Sequence, residues 1–196
     1  MLQLFGYVSG FFSIISIFPY IRDILRLQTK PQRTTWFIYS VLGAISFFSQ
    51  LAKGATNSLW LPGTITLTVG IIFFLSLKYG VGGFSTKDYL VLGIAALGLI
   101  AWYFTKEAAI ALYLVILIDA SGTYLTIEKT YVHPESETFS SWALASVSAL
   151  FSLLAVGKVD VVLMSYPLYI LLADGAIAAT IILGKRNIRK TFGHAP

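Results

Sequence analysis

The chain has no cysteine, which excludes disulfides and thiolate metal sites. Histidine is nearly absent as well, with His133 and His194 the only two. There is no H-E-x-x-H pair and no nucleophile elbow, so catalysis finds no support, and neither an enzyme activity nor a cofactor or metal is expected. The last apolar run holds no lysine that would carry retinal. Charged residues make up 12% of the chain against 57% hydrophobic, a balance foreign to ordinary soluble domains and suited to a bilayer. Alternation of polar and apolar residues is missing too, which excludes a membrane β-barrel and leaves helices. The first apolar run lacks a basic n-region and a small-residue cleavage site, so it reads as a retained helix.

What is present is a series of seven apolar runs, at about 4–25, 35–51, 59–77, 89–104, 108–127, 139–156 and 159–183. The expected fold is an all-α membrane protein. The basic excess follows from orientation rather than from a nucleic-acid partner. Arg22, Arg26, Lys30, Arg33, Lys78, Lys87, Lys129, Lys185, Arg186, Arg189 and Lys190 fall on one side, and only Lys53, Lys106 and Lys158 on the other. That split places the N-terminus outside and the C-terminus in the cytoplasm, in the inner membrane of a cell.

Residues 18–78 and 121–183 read as one segment written twice. Phe18-Pro19-Tyr20-Ile21 lines up with Ser121-Gly122-Thr123-Tyr124, and Pro31 with Pro134, at an offset of 103. Thr34-Thr35-Trp36 then matches Ser140-Ser141-Trp142 at an offset of 106, and Pro62 meets Pro167. Three crossings reverse the chain, so a second unit with the same orientation needs one more crossing between them. The expected organisation is a 3+1+3 parallel repeat: residues 1–79, a linker with the fourth helix at 80–105, residues 106–184, and a frayed tail at 185–196. Glycines in 80–85 predict a flexible joint. Thr34/Thr35 and Ser140/Ser141 are placed to cap the second and sixth helices, and Pro62 and Pro167 to sit in the first turns of the third and seventh. Pro19 bends the first helix, and its mate Gly122 is a weak point at the same depth in the fifth, so the two form a hinge pair.

This pattern resembles the PQ-loop superfamily, which includes the SWEET sugar transporters, the KDEL receptors and the PnuC vitamin-precursor transporters. The resemblance covers nearly the whole chain and rests on the 3+1+3 topology and on Pro19-Tyr20-Ile21 followed by a basic loop and a hydroxyl-rich helix start. The literal Pro31-Gln32 lies in the loop after the first helix, outside the family's position. The fifth helix has Gly122 where the family has proline. The resemblance implies transport of a small polar solute, such as a sugar, a vitamin precursor or an amino-acid-like molecule, by alternating access. It equally implies the alternative of a ligand-binding receptor or trafficking adaptor like the KDEL receptors.

Asp119 is the sharpest candidate residue. It lies about 11 residues into a helix rising roughly 1.5 Å each, hence about 16 Å deep. An acid at that depth costs at least roughly 2.5 kcal/mol and must face the interior. Thr123 and Thr126 extend its stripe, and its repeat mate is Ser16, in the stripe Ser9, Ser13, Ser16. Asp119 would bind a cationic solute or carry a coupling proton, or else simply hold two helices together. It is expected to line a cavity between the first, second, fifth and sixth helices. Asp174 in the last span is the second buried acid, and the resemblance places it near the seventh-helix asparagine through which SWEET proteins contact solute. Trp36 and Trp142 occupy matching helix ends, where they either stack on solute or form the interfacial aromatic belt. The first repeat loop carries a net charge of +3 and the second −2, which makes Arg26 and Glu128 a possible gate pair. Gly6-x-x-x-Gly10 permits close packing, inside the bundle or in a homo-oligomer. A helical scaffold with no cavity is the third reading. The partners expected are a small-molecule solute and the lipid bilayer.

Overall fold

The first helix, α1 (Leu2–Leu25), is amphipathic inside out. Gly6, Ser9, Gly10, Ser13 and Ser16 are buried, while Leu4, Tyr7, Phe11, Ile14 and Phe18 stand exposed along the opposite face. Water would not tolerate that arrangement, but lipid does: against hydrocarbon, large apolar groups gain nothing by hiding and small residues let helix backbones approach.

The computed structural model describes residues 1–27, 31 and 33–192; Lys30, Gln32, His194 and Pro196 lie outside the described residues. Six further helices follow α1: α2 (Arg33–Ala52), α3 (Trp60–Tyr79), α4 (Thr86–Thr105), α5 (Ala108–Val132), α6 (Phe139–Ala155) and α7 (Val161–Phe192). Single 3-10 turns at Asn57–Leu59 and Pro134–Ser136 precede α3 and α6. Five of these segments are long and apolar enough to cross a membrane, and Leu92–Thr105 and Phe139–Ala155 are shorter apolar helices. The protein is an all-α, membrane-type bundle of seven helices.

Packing order differs from chain order. In the first triplet α3 sits between α1 and α2, and in the second α7 sits between α5 and α6. Across the triplets α1 packs on α6 and α2 on α5. Exchanging α1, α2 and α3 for α5, α6 and α7 maps this pattern onto itself. The odd helix α4 lies outside it, against α5 and α2.

Each triplet is tied where its third helix meets the loop after its first. Arg33 donates from Nε to the Ser76 carbonyl (3.1 Å) and from Nη2 to the Gly80 carbonyl (2.7 Å). The backbone amides of Val81 and Arg33 donate to Pro31 and Val81 carbonyls, each at 3.0 Å. The glycine-rich stretch expected to be a free joint is therefore pinned at its start. A side chain at Gly80 would collide with the Pro31 and Ser76 carbonyls, and one at Gly184 with the Tyr131 carbonyl at 2.8 Å. Gly80 at the end of α3 and Gly184 inside α7 thus make comparable close approaches in the two triplets.

Three local expectations are corrected. The N-cap of α6 is Thr138, without a side-chain cap, and the Thr34 hydroxyl donates to the Gly83 carbonyl (3.4 Å), tying α2 to the linker. Pro167 lies in the second turn of α7 rather than the first, so the Leu163 carbonyl has no amide four residues on. The real start of α7 is capped by Asp160, whose Oδ1 accepts from the amides of Val162 (3.1 Å) and Leu163 (3.0 Å). Finally, α7 continues to Phe192, well past the apolar run ending near residue 183.

Candidate functional site

Burial changes midway along four helices. On the inner stripe of α5, Ala108, Ala111, Leu112 and Val115 are sealed, whereas Asp119, Gly122, Thr123 and Thr126 are only half-buried. On α2, Trp36 and Tyr39 are half-buried and Leu42, Ile45, Ser46 and Ser49 sealed. On α6, Trp142 is half-buried, while Ser148, Ala149 and Ser152 are sealed. On α1, Pro19 and Tyr20 are half-buried after sealed Ser16, and Ile24 beyond them is sealed again. These half-buried positions outline a loosely packed cleft toward the end that carries Arg22, Arg26 and Lys78, although Ile24, Thr34 and Thr130 at that end are sealed.

Asp119 lies midway along α5, where the half-buried positions begin. Its Oδ2 accepts the Tyr169 hydroxyl of α7 at 2.6 Å, and the same hydroxyl lies 3.0 Å from Thr123 Oγ1. Such a short bond to a carboxylate is charge-assisted and fixes the acid's direction. The spacing of Asp119 and Thr123, one helical turn apart, lets one tyrosine serve both. Asp174 is buried on α7, close enough for its charge to act on Asp119, Tyr166 and Tyr169. The two acids singled out in the sequence therefore share one neighbourhood.

The cleft wall is aromatic. Trp36 packs against Tyr20 (ring centroids 5.2 Å apart) and Tyr39 (5.8 Å). Trp142 donates its indole N–H to Glu137 Oε2 at 3.1 Å, and the Glu137 charge reaches Tyr20 and Tyr39.

Other candidates fall differently. Ser16 is buried and donates to the Ser13 carbonyl of its own helix at 2.7 Å, apart from Asp119, so it belongs to the α1 packing face. Arg26 and Glu128 form no ion pair: Arg26 is exposed, and Glu128 accepts the Tyr124 hydroxyl at 2.8 Å, four residues back on its own helix. The gate pair is not made. Helix α1 runs unbroken through Pro19 and α5 through Gly122. A methyl group at Gly122 would lie 3.5 Å from the Tyr39 hydroxyl, which places this weak point on the cleft wall. Gly6 and Gly10 are used inside the molecule, against Asn57 and Trp60.

Sequence reasoning missed Tyr169, Tyr166, Tyr39 and Glu137. Their signal was present: Tyr166, Tyr169 and Asp174 lie on one apolar helix, and Tyr39 follows Trp36 by one turn. Two cavities lie outside the cleft. One of about 230 Å³ is at the opposite end beside Leu2, Ser58 and Lys158. Another of about 420 Å³ lies between α5 and α7 beside Ile127, Tyr131 and Thr180. No protein-family model matches the chain, and a search of curated proteins finds no match to it.

Proposed function

We propose that this protein carries a small polar solute across the membrane by alternating access, with Asp119 at the solute site. The observation that carries the reading is the half-buried Asp119–Tyr169–Thr123 hydrogen-bond set midway along α5 and α7. An acid in mid-membrane is costly, and a purely structural one would be expected sealed rather than half-buried. Two pseudo-equivalent triplets around that site supply the rigid bodies that alternating access requires. The charge split among loops supports an inner membrane with the C-terminus in the cytoplasm, which makes the cleft inward-facing. Proton coupling through Asp119 and Asp174 fits the same geometry.

Asp119→Asn tests it. The amide is nearly isosteric, so the folded yield and melting temperature stay near wild type, while uptake into proteoliposomes of a solute found by thermal-shift screening falls at least about tenfold. Unchanged uptake per folded protein would sink the assignment. A ligand-binding receptor is the second reading, favoured by the half-buried polar and aromatic positions lying toward one end of the bundle. Solute binding without any uptake would select it.

A further inference from the structure

We propose that two contacts at the end carrying Lys53 and Lys158, Leu2 on Gly157 and Lys53 on Glu107, form a gate that parts when this end of the molecule opens. This deepens the transport reading and rests on it for the need to open both ends. The two contacts occupy the same place in the repeat. Gly54 and Gly157 each lie two residues past the second helix of a triplet, in left-handed backbone (φ 82° and 73°). Leu2 is the first residue of α1, and Glu107 stands immediately before α5. Each contact therefore ties the start of one triplet's first helix to the loop after the other triplet's second helix.

The materials differ, yet both contacts are of a kind that parts easily. At Gly157 the loop leaves a notch that Leu2 fills: a side chain there would collide with Leu2 Cδ1 and lie 3.1 Å from its Cδ2. Leu2 is still 40% exposed and borders the cavity of about 230 Å³, so it lacks neighbours on that side. Both loops line this cavity, Ala55 and Ser58 from one and Val156 and Lys158 from the other. At the second contact Lys53 Nζ donates to Glu107 Oε2 at 3.1 Å, with the glutamate more than half exposed. Such a surface ion pair contributes little, and both charges return to water when it breaks.

Independent of the contacts themselves, orphaned polar groups lie directly inside the ion pair. Ser49, one helical turn before Lys53, is fully buried, and so is Gln50 beside it. Ser49 Oγ and Gln50 Oε1 have no hydrogen-bond partner among the described residues, while Gln50 Nε2 donates to Ser46 Oγ at 3.3 Å. Buried polar groups of a permanently closed core are paired. Orphans one turn beneath a surface ion pair gain water as soon as the pair parts, which favours opening at this place. Thr130 Oγ1 and Ser141 Oγ, toward the opposite end, are orphaned in the same way. The pattern suits a bundle that opens at either end in turn.

The chain contains no cysteine, so single cysteines report opening cleanly. Ser49→Cys gives up no hydrogen bond of its hydroxyl, and a buried thiol reacts slowly with a water-soluble maleimide because the thiolate is the nucleophile. In the purified protein, adding Glu107→Gln should speed labelling of Ser49→Cys at least about threefold, and Leu2→Ala should do the same for Ser58→Cys beside the cavity. Ser76→Cys, buried toward the opposite end, should label at an unchanged rate. Unchanged labelling at Ser49→Cys and Ser58→Cys, or equal acceleration at Ser76→Cys, would overturn the gate. Bridging Lys53→Cys to Glu107→Cys with a short, reducible bis-methanethiosulfonate separates the gate from the transport reading. Uptake of the solute found by thermal-shift screening should stop in the bridged protein and return on reduction. Full uptake with the bridge in place overturns the gate and leaves the transporter standing. Gated labelling in a protein that takes up no solute keeps the gate and removes the transporter.

Discussion

The two seams that join the triplets are related by the repeat yet built of opposite materials. Where α1 meets α6, Ser9 faces Ser148, with Phe5 and Phe12 against Phe151 beside them, while Gly6 and Gly10 lie against Asn57 and Trp60. The Ser148 hydroxyl donates to the Ser9 carbonyl (2.7 Å) and lies 3.3 Å from the Ser9 hydroxyl, and Ser152 donates to the Ser58 carbonyl (3.1 Å). Where α2 meets α5, Ile38, Leu42 and Ile45 face Leu112 and Val115, with Asp119 and Gly122 beyond them. Small residues bring backbones into contact, where hydroxyl hydrogen bonds fix their register, whereas branched side chains hold backbones apart and fill the space between them. Indeed α1 and α6 pack far more intimately than α2 and α5. Equal position in the repeat therefore does not mean equal packing.

The largest effect is expected where a side chain is forced into the close contact of α1 with the Asn57–Leu59 turn and α3. Gly6→Val drives a β-branched group into the Asn57 carbonyl and Trp60, and should destabilise by about 1–3 kcal/mol or leave little folded protein. Melting of the detergent-solubilised protein measures it, and a wild-type melting temperature would break the claim of a closed contact. Next comes Ser148→Ala, which removes one buried donor at the α1–α6 seam and should cost about 0.6–1 kcal/mol. Loss of uptake out of proportion to that small loss would show that this seam does more than pack.

Gly122→Ala sharpens the comparison from the other side. The new methyl makes ordinary contact with Tyr39 at 3.5 Å, and alanine favours helix by up to about 1 kcal/mol. Stability should hold or rise, while uptake slows if this wall must bend. The smallest effect is in the cap of α7. The Leu163 amide first, then Lys158 at 3.2 Å and the Val162 amide, hold the Asp160 carboxylate below its ordinary value of 3.8. Because the folded state lowers this pKa, its contribution is present above the unfolded value and lost as pH falls through the folded one. Asp160→Ala should lower the melting temperature slightly at pH 7, and the gap to wild type should close as pH falls below about 4.

Much of this was legible in the chain. Apolar runs of membrane length fixed the class and number of helices, and the offset repeat foretold the symmetric adjacency. Depth alone identified Asp119, because an acid in hydrocarbon is conspicuous wherever it points. Its partner was not legible, since Tyr169 lies 50 residues away and only the interleaved order of α5 and α7 brings them together. The repeat alignment misled at Ser16, which inherits the position of Asp119 but lies on the seam of the opposite material. Arg26 and Glu128 were paired by loop symmetry, yet Glu128 found a closer partner one turn back. Glu137 was counted as loop charge because nothing local says that the loop turns it toward Trp142.

The place of α3 between α1 and α2 has a consequence for how the protein is made. The backbones of α1 and α2 keep apart and are bridged by the Tyr20–Trp36 ring pair. A nascent chain that has delivered only its first hairpin to the bilayer therefore holds two helices without a shared face. The buried polar groups of α1, Ser9 and Ser13 among them, must then wait among lipid tails or with a chaperone. Threonines Thr64 and Thr68 of α3 satisfy themselves on their own helix, at Trp60 (2.6 Å) and Ile65 (2.9 Å), so the late helix can enter between its neighbours without first exchanging hydrogen bonds. The second triplet repeats the sequence of events with α7, whose arrival comes last of all. Insertion of a first hairpin therefore closes neither half; each closes only when its third helix arrives.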